Sequence, residues 1–312
     1  MEGSIAVVIP CFNESAAIGD VVRSFRAALP AARIYVFDNN STDDSPRLAA
    51  AAGAMVRAET RQGKGNVVRR MFADVDADLY VLVDGDGTYD ASAAPELISR
   101  LVEGEYDMVS AARRPVERDS YRPGHRMGNR MLTGMVALVF GKQITDLLSG
   151  YRALSRRFVK SFPALSSGFE IETELSVHAL ELGIPFCEVE TPYYPRQGDS
   201  QSKLSTFQDG RRILLTIVKL VKGERPLAFF ATIAALAAVP ALVIGVQLWL
   251  TFVETGLVPR FPSAILATGL MLTAFLSLAC GLILDTVTRG RQEMKRLAYL
   301  GLKSLQAAKQ RP

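Results

Sequence analysis

The sequence predicts an α/β domain built on a doubly wound, mostly parallel sheet, followed by a hairpin of two transmembrane helices. Short apolar runs alternate with helical segments up to about residue 205, an order typical of parallel strands joined by helices. Two long apolar runs follow at 227–253 and 262–284, and each is long enough to cross a bilayer. A basic amphipathic segment at 206–226 and a basic tail at 286–312 flank the hairpin.

The predicted strands are short runs of apolar, mostly β-branched residues. They lie at 5–10, 33–37, 55–57, 79–83, 106–111 and 189–194. The predicted helices place apolar residues at helical spacing or follow a capping residue. They lie at 16–29, 67–73, 127–140 and 168–182, with a further helix that ends at Ala52 and is capped by Ser41 or Asp43.

Polar segments follow three of these strands directly, at 10–14, 38–43 and 84–86. The carboxyl ends of parallel strands meet at one edge of the sheet, where doubly wound folds bind their ligands. Three polar loops at that edge predict a nucleotide site. The loop at 63–65 lacks Walker spacing, and no GxGxxG follows the first strand, so a dinucleotide site is disfavoured.

Asp84 and Asp86 lie one residue apart at the end of the strand at 79–83. Two such carboxylates repel each other unless a cation lies between them, and hard oxygen ligands suit Mg²⁺ or Mn²⁺ held partly by phosphates. The alternative is an ordinary Asp-Gly turn. Lys64 either reaches a phosphate or is a solvated loop lysine.

Composition excludes several classes of protein. The chain has 312 residues, a net charge of +4 and 49% hydrophobic residues. Basic residues flank the apolar region, which favours an anionic membrane surface over nucleic acid as a partner. The three cysteines lie far apart and only two histidines occur, so neither a disulfide framework nor a histidine-based metal site is predicted.

Three segments at the predicted nucleotide edge carry a resemblance to a known family. Val-Ile-Pro-Cys-Phe-Asn-Glu at 8–14, Asp38–Asp43 and Asp84-Gly85-Asp86 resemble the motifs of family-2 glycosyltransferases with the GT-A fold, the Rossmann-like fold of nucleotide-diphospho-sugar transferases. The segments 146–152 and 196–204 narrow the resemblance to polyprenyl-phosphate glycosyltransferases, the group that includes dolichol-phosphate mannose synthase. It covers about residues 4–225 and extends to the hairpin.

The resemblance implies transfer of a sugar from a nucleotide-diphosphate donor, with UDP favoured over GDP, to a polyprenyl phosphate. Asp84 and Asp86 would bind Mg²⁺ or Mn²⁺, with Asp86 on the ion that bridges the diphosphate. Many relatives carry Gln two residues after the second Asp, where this chain has Thr88. The residues that would contact the nucleotide are Pro10, Phe12, Glu14, Asp38, Lys64 and Asp84.

A basic stretch follows the strand at 106–111. Arginine forks match phosphate oxygens in pairs, so Arg113, Arg126 and Arg130 are the candidates for binding the acceptor phosphate. The alternative is a solvated basic loop.

The remaining candidates belong to the transfer step. Asp146 either lies on the acceptor side or orients Arg152, and Glu174 matches the family's recurrent acid near the sugar. Glu170 and Glu172 suit the positive end of the helix dipole and are interpreted as capping residues. The cations that would neutralise the leaving diphosphate are Arg196 and Lys203. A single displacement by the anionic acceptor predicts inversion at the anomeric carbon.

Charge predicts how the hairpin is oriented. Six Lys and Arg residues lie between 203 and 225 and seven from 289 onward, whereas the loop between the spans has only Arg260. The positive-inside rule therefore predicts a multi-pass protein of the plasma (inner) membrane, with the catalytic domain and both termini in the cytoplasm. The chain begins without a basic n-region, so no signal peptide is expected. A buried soluble helical hairpin is the alternative.

Two other functions fit parts of the sequence. A transferase that extends a membrane saccharide would normally need a general base and more membrane helices. A non-catalytic scaffold or flippase subunit would be expected to lose its acidic motifs, whereas Asp38, Asp84 and Asp86 are intact. A homo-oligomer is compatible with every one of these functions.

Overall fold

A computed structural model describes residues 3–116, 133–137, 140–141, 144–168, 170–196, 215 and 218–303. The chain forms two compact units, one of residues 1–213 and 294–312 and the other of residues 214–293. The boundaries predicted near 205, 226 and 285 stay predictions. Most of the predicted helix at 127–140 and of the amphipathic segment at 206–226 lies outside the described residues.

A seven-stranded sheet forms the centre of the first unit. Its strands are β1 (Ile5–Cys11), β2 (Arg33–Asp38), β3 (Met55–Ala58), β4 (Leu79–Leu82), β5 (Met108–Pro115), β6 (Arg152–Ser155) and β7 (Phe186–Tyr193). Their order is β3-β2-β1-β4-β6-β5-β7. Only β6 runs antiparallel to its neighbours β4 and β5 among the described strand pairs, so the prediction of a mostly parallel sheet is confirmed.

Helices cover both faces of this sheet. They are α1 (Ile18–Ala28), α2 (Ser45–Ala51), α3 (Lys64–Asp74), α4 (Ala94–Glu103), α5 (Arg156–Ser161) and α6 (Ile171–Leu182), with a 3₁₀ turn at Ala91–Ala93. On β1, Ile5, Val7 and Ile9 pack toward α1 and α4, whereas Ala6 and Val8 pack toward α3, α5 and α6. Both faces of the strand are therefore buried, as its continuous apolar sequence requires.

The predicted strands omit β6. β6 begins at Arg152, the last residue of the segment 146–152, and its four residues contain too few apolar side chains to be recognised as a strand. β5 also continues to Pro115, beyond the predicted end at 111, because its last residues pair with β7.

The second unit contains two long helices, α7 (Pro226–Thr255) and α8 (Phe261–Leu300). Each contains an 18-residue stretch long and apolar enough to cross a membrane, with mean hydropathies of 2.5 in α7 and 2.0 in α8. They approach closely at Gly281, where a Cβ would lie 3.0 Å from the Cβ of Phe230. The two apolar segments found in the sequence are thus helical along their whole length.

The last turns of α8 pack in the first unit. The Tyr299 hydroxyl donates to the Asp107 carboxylate at 2.5 Å, and Lys295 pairs with the buried Glu181 at 2.6 Å. Residues 294–300, which charge alone assigned to a basic tail, therefore contribute to the packing of the sheet-containing unit.

Candidate active site

The loops that follow β1 and β2 are joined at the carboxyl edge of the sheet. The Asn13 N–H donates to Ser41 Oγ at 2.9 Å, and the Thr42 N–H donates to Asn13 Oδ1 at 2.8 Å. Asp38 ends β2, and its carboxylate accepts the Ser41 N–H at 3.2 Å. The predicted nucleotide-contacting residues of both loops thus lie along one rim: Pro10, Phe12, Glu14 and Asp38.

Asn39, which the sequence analysis did not single out, fixes the loop that leads to Lys64. It is buried and donates to the carbonyls of Glu59 and Arg61 at 2.9 and 2.8 Å. Its Oδ1 accepts the Gly63 N–H at 2.7 Å. One amide side chain therefore ties the end of β2 to the start of α3.

Two glycines allow Lys64 to enter the site. Gly63 has a φ of +128°, and a Cβ on Gly63 would lie 2.2 Å from the Ser167 carbonyl oxygen. A Cβ on Gly65 would lie 2.1 Å from the Ser166 carbonyl oxygen. The start of α3 can approach the loop before α6 this closely only without side chains at both positions.

Lys64 bridges two carboxylates from distant parts of the chain. Its Nζ lies 2.5 Å from Asp84 Oδ1 and also pairs with Glu172 of α6. Burial alone would lower the pKa of Lys64, but the two carboxylates outweigh it and raise that pKa. Burial, together with Asp86 and Glu172, raises the pKa of Asp84 above its usual value, although Lys64 opposes this.

Asp86 is buried beside Asp84 and is held on both carboxylate oxygens. The Thr88 hydroxyl donates to Oδ1 at 2.7 Å, and the Arg196 guanidinium lies 2.9 Å from Oδ2. The structure therefore brings Arg196 to the predicted metal ligand, and Thr88 supports that ligand through a hydrogen bond.

The donor set fits a divalent cation that shares its ligands with a substrate. Asp84, Asp86 and Glu172 face two cations, Lys64 and Arg196, so negative charge is in excess. Glu172 Oε2 is buried and has no hydrogen-bond partner among the described residues. Within the described part of the chain no group of three or more His, Cys, Asp or Glu is arranged around a common point. Mg²⁺ and Mn²⁺ usually complete such incomplete shells with water and phosphate oxygens.

The backbone of Gly150 packs against the carboxylate of Asp84. A Cβ on Gly150 would lie 2.3 Å from Asp84 Oδ2 and 2.8 Å from its carboxyl carbon. Because Gly150 has no side chain, the backbone of this segment can lie directly against the Asp84 carboxylate.

Asp146 is paired with Arg113. The guanidinium binds both carboxylate oxygens, at 2.7 and 2.8 Å. Arg152, which the sequence offered as the alternative partner, is fully buried and donates to the carbonyls of Leu147, Ser149 and Glu172. Asp146 therefore orients Arg113, and Arg152 holds the backbone around the site.

The other predicted residues divide into two groups. Glu174 accepts the N–H groups of Leu165 and Ser166 at 2.8 Å each, which fixes the loop before α6. Arg126, Arg130 and Lys203 lie outside the described residues.

A cleft of about 590 Å³ opens beside this cluster, between α1 and the 3₁₀ turn. Asp84, Gly87 and Tyr89 form one wall, and Val21 and Phe25 of α1 form the other. Its volume is within the range of small-molecule sites.

Comparison with known proteins assigns the chain to a family. The model of Glycosyl transferase family 2 matches residues 6–162. Glycosyltransferase AglJ of Haloferax volcanii is 32% identical over 304 residues, covering 95% of this chain and 98% of that protein. A dolichyl-phosphate hexose transferase of the same organism is 28% identical over 221 residues, covering 71% of this chain and 95% of that protein.

Solved structures share the fold. Glucosyl-3-phosphoglycerate synthase from Mycobacterium tuberculosis, crystallised with Mn²⁺, UDP and phosphoglyceric acid, superposes with a TM-score of 0.58. The identity is 24%, and the match covers 71% of this chain and 78% of that one. The sheet is thus of the GT-A type, and the chain belongs to glycosyl transferase family 2, whose members are glycosyltransferases.

Proposed function

We propose that this glycosyltransferase moves a sugar from a nucleotide-diphosphate donor, with UDP as the first candidate nucleotide, to a polyprenyl phosphate at the cytosolic face of a membrane. The main support for binding of the nucleotide-sugar donor is the set of three carboxylates of Asp84, Asp86 and Glu172. The cations Lys64 and Arg196 neutralise these carboxylates only in part. Structures of the same fold hold UDP with Mn²⁺ and with Mg²⁺. Asp84 and Asp86 would hold such an ion, which supplies charge neutralisation for the diphosphate.

Separate observations support a polyprenyl phosphate acceptor at a membrane. A relative aligned over 71% of this chain is named for transfer of hexose to dolichyl phosphate. Two helices are long and apolar enough to cross a membrane, and the distribution of Lys and Arg favours cytoplasmic termini. We expect the hairpin to keep the donor site near lipid phosphates in the inner leaflet.

The proposed reaction is a single displacement. An oxygen of the acceptor phosphate attacks the anomeric carbon while the bond to the diphosphate breaks, so the configuration inverts. The phosphate is already anionic, and the protein contributes mainly positioning and charge. Arg113, oriented by Asp146, would bind the acceptor phosphate with Arg126 and Arg130, and Arg196 and Lys203 would neutralise the leaving diphosphate.

The test uses the purified full-length chain in detergent. It is incubated with UDP- and GDP-sugars, undecaprenyl phosphate, and Mg²⁺ or Mn²⁺, and the lipid fraction is analysed for a charged glycolipid. We expect a product that disappears with EDTA and with a prenol that lacks phosphate. No product from any donor, or equal transfer to 3-phosphoglycerate, would contradict the proposal.

Gly150→Ala is expected to lower kcat/KM for the nucleotide sugar about 10- to 100-fold. The new methyl group collides with the Asp84 carboxylate, and a displacement of about 1 Å at a reacting site can cost that much. Gly19→Ala is the control, because its Cβ would meet only the Arg23 side chain, at 3.4 Å. Unchanged kinetics of Gly150→Ala would show that the orientation of Asp84 is unimportant.

A further inference from the structure

Tyr89 lies where three segments of the site meet. It follows the Asp84–Thr88 loop and forms an antiparallel bridge with Tyr193 at the end of β7. Next to this bridge, the Tyr194 N–H donates to the Thr88 carbonyl at 2.9 Å. The third segment is 149–151, whose Gly150 N–H donates to the Tyr89 hydroxyl at 2.8 Å.

The Tyr89 ring is fixed independently of its hydroxyl. It packs edge-to-face against Tyr151 and Tyr193, with ring centroids 5.4 and 5.2 Å apart. The side chain is 9% exposed. The hydroxyl is therefore held at one position, within hydrogen-bond distance of the Gly150 N–H.

Asp84 is confined between two groups. Lys64 lies 2.5 Å from Oδ1 on one side, and the Gly150 backbone lies against Oδ2 and the carboxyl carbon on the other. Lys64 attracts the carboxylate, and the Gly150 backbone limits how far the carboxylate turns on the opposite side. The acceptor of the Gly150 N–H thus helps to set the orientation of Asp84.

We propose that Tyr89 is a positioning residue for the donor site: its hydroxyl holds Gly150 against Asp84 and so presets that carboxylate for the metal–diphosphate complex. The inference rests on the proposed function of Asp84 and Asp86. It concerns a side chain that acts on Asp84 through the Gly150 backbone.

The alternative is that Tyr89 only stabilises the fold, and the chain offers a matched control for it. Tyr80 of β4 is fully buried. Its hydroxyl accepts the Ala77 N–H at 3.0 Å and donates to the Val75 carbonyl at 2.9 Å. Tyr80→Phe therefore loses the same kind of backbone hydrogen bond, but in the core layer against α3.

The experiment measures binding of UDP and of GDP, each with Mn²⁺, to the full-length protein by calorimetry, together with the midpoint of thermal unfolding. Tyr89→Phe keeps the ring and leaves the Gly150 N–H without this acceptor. We expect it to weaken nucleotide binding about 3- to 10-fold, which corresponds to the net contribution of about one hydrogen bond. Tyr80→Phe should be at least as destabilised thermally, and it should bind nucleotide within about 2-fold of the wild type.

The outcomes separate the inference from the function on which it rests. If the wild type binds nucleotide with Mn²⁺ and Tyr89→Phe binds equally well, the positioning role is overturned and the proposed function stands. If Tyr80→Phe weakens binding as much as Tyr89→Phe does, a general loss of stability explains both and the positioning role is again overturned. If the wild type binds neither nucleotide, the proposed donor site fails and this inference fails with it.

Discussion

Asp86→Asn is expected to lower sugar transfer about 10²- to 10³-fold, the range for loss of a single electrostatic group in an active site. The amide oxygen can still accept from the Thr88 hydroxyl, so local structure should persist. What is lost is the charge that faces Arg196 at 2.9 Å and that would attract a divalent ion. Initial rates at saturating donor and lipid, and Mn²⁺-dependent binding of nucleotide, both measure the effect.

Asp90→Asn is the matched control for this prediction. Asp90 follows the same loop, and its carboxylate accepts the Ser92 N–H at 2.8 Å, a role that an amide oxygen can fill. It should retain transfer within about 2-fold, because a lost surface charge usually has a small effect. If Asp86→Asn retained more than about a tenth of the wild-type rate, Asp86 could not be the ligand that the metal requires.

The part of the site that follows β4 could be predicted because its signals are local. Asp84 and Asp86 come directly after a buried apolar strand, and the carboxyl edge of a parallel sheet is where such residues meet. The same reasoning placed Asp38 at the rim. The two glycines at 63 and 65 are visible in the sequence, but their close approach to the carbonyls of Ser167 and Ser166 could be seen only in the structure.

The partners of these residues could not be predicted, because they come from far along the chain. Glu172 is 108 positions from Lys64, and an acidic residue in the first turn of a helix already has a sufficient local explanation. Tyr89 and Gly150 are 61 positions apart, and nothing in the spacing of either points to the other. Asp146 had one plausible partner nearby in sequence, Arg152, yet its carboxylate binds Arg113 on a neighbouring strand.

Arg196 illustrates how such pairing changes the chemistry. The sequence predicted that Arg196 neutralises the leaving diphosphate. In the structure its guanidinium group instead pairs with the carboxylate of Asp86. An arriving metal ion would compete with this guanidinium for the carboxylate, and the diphosphate would offer the guanidinium a new partner. We therefore expect metal and donor to bind more tightly together than separately, which calorimetry with each alone can measure.

Lys64→Met is expected to destabilise the first unit by about 3–5 kcal/mol, because breaking a buried ion pair leaves charge uncompensated. The variant keeps an unbranched side chain of similar length but leaves Asp84 and Glu172 facing each other. The side chain of Glu172 is only 8% exposed, so water cannot replace the ammonium group. Transfer should fall with stability, since Asp84 loses the cation that holds it. Thermal unfolding of the full-length protein in detergent measures the first effect.

The same variant should respond to pH in a defined direction. Without Lys64, burial and the nearby carboxylates of Asp86 and Glu172 hold the pKa of Asp84 in the folded protein further above its value in the unfolded chain. A carboxyl group with a raised pKa in the folded state costs stability as pH rises through that pKa. The deficit relative to the wild type should therefore be smaller at pH 5 than at pH 8. A deficit independent of pH would point to lost packing instead of unpaired charge.

Removing the second carboxylate separates folding from catalysis. Lys64→Met with Glu172→Gln leaves one orphaned charge instead of two, so we expect it to recover part of the lost stability but none of the transfer activity. Lys160→Met is the control. Within the described structure, the hydrogen bonds of the Lys160 ammonium group go to the backbone carbonyls of Phe72 and Val75, away from the site. This variant should lose stability and keep its kinetics. If the double variant were no more stable than Lys64→Met, the unpaired charge of Glu172 would not explain the lost stability. If the double variant regained transfer activity, Lys64 would not be required to hold Asp84 for catalysis.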